Sequence, residues 1–296
     1  MQTGAASGGN PVITVGVPVY NGADLLDECL AALAAQTFPD FVVRIYDNAS
    51  TDATGDIAHA WSAKDSRFIY FRQTENRGAK QNFLDVLAAS DTQYFLWRAY
   101  DDLSDPGFLE ALYGAMISRA GVKLAVPVVI SENMDGTNRR ERMLPPLENT
   151  QGLAAIRQRL FGSHASWFYG LWDRTILNRT MAETWGHFPS DWGSDHLAIF
   201  PLLLEGSVAG APDARFIQRI KRTQGSAKRP MTISAAEMLD LRRRFEAYCL
   251  GCLEARDDPP LKRFLLRRMI SRYAAKRVYS NLKLAKLWWR GRKSSA

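Results

Sequence analysis

The sequence predicts an α/β fold, a mostly parallel sheet with helices on both faces, followed by a helical C-terminal appendage. Three observations predict it. Over residues 12–130, short β-branched or aromatic runs alternate with segments of helical spacing, as in successive βαβ units. Polar residues collect just after those runs, where open parallel sheets bind ligands. From Ser234 onward only long helical patterns remain.

"VITVGVPVY" (12–20) is the first predicted strand, and "LLDECLAALAAQ" (25–36) a helix with Leu25, Cys29 and Leu33 on one face. "FVVRIYD" (41–47) is the second strand, and Thr51 or Asp52 is a plausible N-cap for the helix that follows. "RFIYFRQ" (67–73) is strand, "AKQNFLDVLAAS" (79–90) helix and "QYFLWRA" (93–99) strand. Asp105 and Pro106 open another helix, and "KLAVPVVI" (123–130) is strand again. Residues 131–152 read as a long irregular loop, either mobile or an acceptor-side lid. After Ser234 two helical patterns reach about Gly291, broken by Pro259 and Pro260.

Composition narrows the class. With 46% hydrophobic and 23% charged residues, the chain has the makings of a soluble globular core. No apolar run approaches the roughly 18 residues of a membrane span. Residues 1–11, Gly/Ser-rich, read as a disordered leader. Three cysteines fit a reducing cytoplasm better than a disulfide framework. Cys249 and Cys252 lie in a helical pattern without a second pair, which favours packing over zinc. Of the 38 Lys/Arg, 12 lie between Leu261 and the end, where there is no Asp or Glu. The basic character is therefore local.

Asp101 and Asp102, adjacent behind an apolar strand, repel unless solvent or a cation lies between them. A solvated turn and a divalent-cation site both satisfy that requirement. Neither G-x-G-x-x-G nor G-x-x-x-x-G-K-[ST] follows the first strand, which disfavours a dinucleotide fold and a P-loop.

"VGVPVYNGADLLDECLAALAAQTFPDFVVRIYDNASTDAT", "ENRGAKQNFLDVLAAS" and "YFLWRAYDDLSDPGFLEAL" occur in that order, and the set resembles family 2 glycosyltransferases. The resemblance implies a GT-A fold, a Rossmann-related sheet, and inverting transfer from a nucleotide-diphospho-sugar. Pro18, Tyr20 and Asn21 match the segment lying along the nucleotide, and Asp47 the acid that reaches base or ribose. Asn76, Gly78 and Asn82 match the segment after strand three, where Arg77 and Lys80 are available to phosphate. Asp102 matches the ligand of Mg²⁺ or Mn²⁺, with Asp101 nearer the ribose or sugar. Ala99 stands where many relatives carry a further acid.

By the same resemblance Asp195 is the base that takes the acceptor proton, with Asp191 in reserve and Ser194 where many relatives have Glu. Ser194 is equally a cap for the helix that follows. His164 and His196 rank second. Trp167, Tyr169, Trp172, Trp185 and Trp192 either stack on a sugar acceptor or fill the core. In the basic segment 219–229, Arg222 or Lys228 is the candidate phosphate contact, and Thr223 replaces a family His.

The expected organisation is a domain over 12–230, its donor half about 12–130 and its acceptor half 131–230. A helical basic region follows over 231–296. That region, through 261–293, suits either an anionic membrane surface or packing on the domain. Nucleic acid is disfavoured, since no recognised motif accompanies the charge. The expected protein is cytoplasmic or peripheral on the inner membrane face, with a saccharide or lipid-linked saccharide acceptor in polysaccharide or glycolipid assembly. Two alternatives stand beside it: a non-catalytic nucleotide- or carbohydrate-binding protein, and a sugar nucleotidyltransferase.

Overall fold

A computed structural model describes residues 11–147, 150–186, 188–190, 192–221, 234–280 and 282. Residues 1–10 of the leader, Asp191, Arg222, Thr223, Lys228 and the tail from 283 lie outside the described residues. The chain divides into two compact units. The first comprises Met1–Leu144, Tyr169–Arg179 and Val208–Lys221, and the second Pro145–Phe168, Thr180–Ser207 and Arg222–Ala296.

The first unit follows the predicted alternation. β1 (Ile13–Val19), α1 (Leu26–Ala34), β2 (Phe41–Asp47), α2 (Thr54–Lys64), β3 (Phe68–Arg72), α3 (Ala79–Ala88) and β4 (Tyr94–Trp97) come in order. β5 (Leu103–Ser104), α4 (Phe108–Ile117), β6 (Leu124–Asn133), β7 (Arg140–Arg142), β8 (Leu171–Asp173) and β9 (Val208–Ile220) complete it. All seven residues of β1 are buried, as a strand covered on both faces requires. α1 buries Leu26, Cys29, Leu30 and Leu33, a wider stripe than the predicted Leu25, Cys29 and Leu33, and Leu25, also buried, is its N-cap. α2 is entered from Ala53 without a side-chain cap. Asp52, one residue before the N-cap, accepts from the N–H of Thr54, the first helical residue, at 3.0 Å.

Sheet order is β3-β2-β1-β4-β8-β6-β9-β5, with β7 beside β6. The first four strands are parallel, but β8 runs antiparallel to both β4 and β6, so the sheet is mixed. Three residues of β8 are too few to show a period in sequence. The segment read as an irregular loop holds a hairpin instead. Ser131 of β6 pairs with Arg140 of β7, and Gly136 (φ 74°) follows Asp135 in the turn. That Asp-Gly pair is itself a hairpin signal.

In the second unit α5 (Leu153–Gly162), the later part of α6 (Arg174–Trp185), α7 (Ser194–Glu205), α8 (Ala235–Glu254) and α9 (Pro260–Arg277) pack helix on helix. Ser234 and Glu237 form a capping box at the start of α8. Pro259 and Pro260 break the pattern as expected, and α9 starts on Pro260. α9 ends at Arg277, and the predicted pattern from 283 to about 291 lies outside the described residues. The carbonyls of Val278 and Tyr279 accept from Trp192 Nε1 (3.0 Å) and an Arg242 guanidinium (3.2 Å). Cys249 is buried on α8.

Candidate functional site

β1 has β2 on one side and β4 on the other, so strand order reverses there, and a cavity of about 460 Å³ opens at the carboxyl ends of these strands. Pro18 and Val19 of β1 and Tyr20 just after it line it, with Asn48 from the loop after β2 and Ala99, Tyr100 and Asp101 from the loop after β4. Asn76, Gly78, Ala79, Asn82 and Phe83 close it from the loop and helix after β3.

Each polar group there is held by the backbone around it. Asn48 Nδ2 donates to Asn76 Oδ1 at 2.9 Å, and Asn48 Oδ1 accepts from the Arg77 N–H, also at 2.9 Å. Asn76 Oδ1 accepts in turn from the Gly78 N–H, where φ is +81°, a region open to glycine. α3 begins directly after Gly78, so its N-terminal end, with Ala79 in the lining, stands at the cavity. Buried Asn82 donates to the Tyr46 carbonyl at 2.8 Å, and its Oδ1 has no partner among the described residues. Gly22 admits the Tyr100 ring. A Cβ there would lie 2.6 Å from Tyr100 Cδ2.

Other predicted residues serve the frame. Asn21 (φ 49°) does not line the cavity. It accepts from the Thr51 N–H and donates its own N–H to Ser50 Oγ, joining the loops after β1 and β2. Asp47 is fully buried and not left free by its neighbours. Its oxygens accept from the Ser50 N–H (2.8 Å) and the Tyr70 hydroxyl (3.0 Å), with an Arg72 nitrogen at 3.6 Å. Arg77 pairs with Asp85 at 2.7 Å. Lys80, exposed in the first turn of α3, is not among the lining residues.

The paired acids differ. Asp101 lines the cavity, and its carboxylate has no partner among the described residues. Asp102 is buried behind it, where Oδ1 accepts from the Arg219 N–H at 3.0 Å. β5 follows the pair and joins β9 antiparallel, which brings Arg219 alongside. The Arg219 guanidinium donates to the Asp101 carbonyl and pairs with Glu28. Lys221 pairs with Asp24 at 3.0 Å and lies 5.2 Å from the Tyr100 ring centre. Burial pushes the Asp102 carboxyl up to about 7, against the Arg219 N–H, which lowers it. The fully buried Arg98 guanidinium, over the rings of Phe108 and Phe216, adds positive charge behind the pair.

Asn48, Arg219 and Lys221 were missed as site residues. Asn48 stood beside Asp47 in the motif, and the two cations opened the basic segment from which Arg222 and Lys228 had been chosen. The donor set suits Mg²⁺ or Mn²⁺. Asp101 offers two unpartnered oxygens and Asp102 its second, both hard ligands. No group of three or more His, Cys, Asp or Glu placed to hold a metal occurs among the described residues, so substrate phosphate and water would complete the shell.

Asp195 belongs to the second unit, in the first turn of α7. Gly193, in the left-handed region, is the N-cap, so Ser194 is the first helical residue and not the cap. His196 is buried against Tyr273, and burial holds its imidazole down at about 3. His164 Nδ1 accepts from the Ser166 N–H at 3.2 Å. Trp167 and Trp172 are core residues. Trp185 stacks on Phe168 and Tyr169 on Phe216. Trp192 is 57% exposed.

Residues 14–178 match the model of the glycosyl transferase family 2. A poly(ribitol-phosphate) beta-glucosyltransferase of Bacillus spizizenii is 34% identical over 95 residues, 30% of this chain and 15% of that protein. The matched stretches span 15–34% of the first three curated relatives' lengths. Among solved structures, Staphylococcus aureus TarS 1–349 in complex with UDP-GlcNAc superposes with a TM-score of 0.64 at 16% identity, covering 91% of this chain and 74% of that one. The mannosyltransferase PcManGT of Pyrobaculum calidifontis, in complex with GDP-Man and Mn²⁺, gives 0.52 at 17% identity, covering 97% and 81%. At these identities the two structures share the fold, which is the expected GT-A arrangement.

Proposed function

The chain belongs to the glycosyl transferase family 2, and from that premise we propose that it moves a sugar from a nucleotide-diphospho-sugar to an acceptor hydroxyl with inversion. The observation that carries this reading is the strand-end cavity where Tyr20, Asn48, Asn76, Asn82 and Asp101 converge and Asn82 Oδ1 lacks a described partner. Pro18 and Tyr20 lie along the nucleotide, and Asn82 Oδ1 accepts from a base N–H or ribose hydroxyl. The first turn of α3 meets the diphosphate, as helix N-termini favour anions. UDP-GlcNAc and GDP-Man, bound by the two structural neighbours, are donors of this class.

The acceptor oxygen attacks the anomeric carbon while that carbon's bond to the diphosphate oxygen breaks. The nucleotide diphosphate leaves with the bonding pair, and the acceptor proton passes to a carboxylate. Asp195 is assigned that proton on the family resemblance alone. Asp101 and Asp102 would hold Mg²⁺ or Mn²⁺, which when bound supplies Lewis-acid neutralisation of the leaving group. Asp47 and Asn21 shape the loops beneath the donor. The acceptor is a saccharide or lipid-linked saccharide in polysaccharide or glycolipid assembly, in line with the poly(ribitol-phosphate) beta-glucosyltransferase relative. The basic C-terminal region meets an anionic membrane surface. No helix among the described residues is long and apolar enough to cross one.

A thermal-shift screen of UDP, GDP, dTDP, CMP and their sugar conjugates, with and without Mn²⁺, tests this reading together with turnover. One conjugate should stabilise the chain more with Mn²⁺ than without, lose that increment in Asp101→Asn, and release free nucleotide on acceptor addition. Binding without transfer or hydrolysis would make the chain a binding protein. No shift at millimolar nucleotide would remove the cavity from the donor role.

A further inference from the structure

A second cavity, of about 410 Å³, lies within the second unit between α5 and α9. α5 lines it with Arg157 and Phe161, one turn apart. α9 contributes Leu265, Arg268, Met269 and Arg272, whose spacing is that of a single helix face. Three guanidiniums and an apolar floor thus share one hollow, and no carboxylate among the described residues lines it.

Neighbouring cations are neutralised from within the chain. Arg267 pairs with Glu254, while Arg256 and Lys262 share Asp258. Arg157, Arg268 and Arg272 have no ion-pair partner among the described residues. Arg157 lies 6.0 Å over Phe161 and Arg268 5.9 Å over Phe264, so aromatic faces support two of the three. Clustered like charges repel each other, and an anion between them relieves that repulsion. Arginine suits phosphate because its planar fork bonds two oxygens at once. The apolar floor points to an anion carrying an alkyl group. α9 also leaves Leu261 72% and Phe264 55% exposed, beside seven Lys/Arg and no Asp/Glu. That combination is typical of helices lying in a membrane interface.

We infer that the α5–α9 hollow binds the phosphate head of an anionic membrane lipid, with the first methylenes against Phe161, Leu265 and Met269. The inference rests on the reading that the C-terminal helices meet an anionic membrane, and narrows that contact to one pocket. It does not depend on sugar transfer.

Co-sedimentation of the full chain with phosphatidylcholine vesicles, with and without phosphatidic acid, tests it. Binding should require phosphatidic acid. Arg268→Glu and Arg157→Glu should each weaken it about tenfold or more, and Arg243→Glu, exposed on α8 and not among the residues lining the hollow, about threefold or less. Leu265→Ser, which leaves the charge unchanged, should weaken it as well. Melting temperatures equal to wild type confirm that each variant is folded. Wild type that ignores phosphatidic acid would overturn both the pocket and the membrane reading. Equal losses in Arg268→Glu and Arg243→Glu would overturn the pocket and leave a diffuse attraction. Release of wild type by millimolar glycerol phosphate would assign the hollow to soluble phosphate instead.

Discussion

The backbone N–H of Arg219 donates to Asp102 Oδ1 at 3.0 Å, across 117 residues of sequence. The same residue's guanidinium donates to the Asp101 carbonyl and pairs with Glu28. One side chain thus ties the acidic turn to α1, while its backbone fixes the second acid. Arg219→Ala keeps the backbone bond and loses the side-chain ones. About 1.5–3 kcal/mol of stability is expected to go with them. Because small displacements of a positioning loop are costly, kcat/KM should fall about tenfold to a hundredfold. Arg219→Lys should not rescue, since an ammonium lacks the fork that reaches both partners. Full activity in Arg219→Lys, in a nucleotide-release assay, would refute the bridge.

Asp47 gives a different expectation. Asp47→Ala would leave the Ser50 N–H and the Tyr70 hydroxyl short of an acceptor at a fully buried position and remove the carboxylate beside Arg72. The expected loss is about 3 kcal/mol by chemical denaturation. Asp47→Asn keeps one acceptor oxygen and should lose less. If donor affinity instead collapsed at unchanged stability in both variants, Asp47 would be a direct ligand and its frame role secondary.

Gly22 and Tyr100 form a testable pair at the cavity wall. A Cβ at Gly22 would stand 2.6 Å from Tyr100 Cδ2 and 2.7 Å from Val19 Cγ2. Gly22→Ala should therefore cost about 1–3 kcal/mol through overpacking and weaken donor binding as the ring is displaced. Adding Tyr100→Ala removes one clash and leaves the other, so partial recovery is expected, with a coupling above about 0.5 kcal/mol. Strict additivity in the double-mutant cycle would mean that the ring moves aside freely.

What the sequence revealed and what it hid divide along physical lines. β1, β2 and β4 were legible because buried strands must be apolar runs, and the ends of β1 and β4, with the loop and helix after β3, placed Tyr20, Asp101, Asn76 and Asn82 at one cavity. Arg219 was not legible. Its place depends on β5 pairing antiparallel with β9, a two-residue contact that no periodicity announces. β8 escaped for the same reason of length. Asp47 shows that burial, too, was not legible. Motif position marked it as open to a ligand, but a strand-end carboxylate beside turn N–H groups is drawn inward to satisfy them. Which of Asp101 and Asp102 is exposed could not be read either, because burial is set by β9 and not by the local pattern.

His196 makes stability depend on pH in the second unit. Its imidazole is held neutral down to about 3 by burial first, then by Arg277 and His164, whereas an unfolded histidine titrates near ~6.5. Between those values the unfolded chain binds more protons than the folded one, so stability must fall as pH drops below about 6.5. The loss approaches its limit only near pH 3, where the folded imidazole protonates as well. At pH 5 the expected loss from this residue is about 1–2 kcal/mol, each pH unit counting for at most about 1.4. His196→Leu removes the proton acceptor and keeps an apolar side chain against Tyr273. The difference in unfolding free energy between pH 7.5 and pH 5 should therefore shrink by about that amount in the variant. An unchanged slope in urea titrations at the two pH values would mean that the buried imidazole already shares a proton in the folded chain.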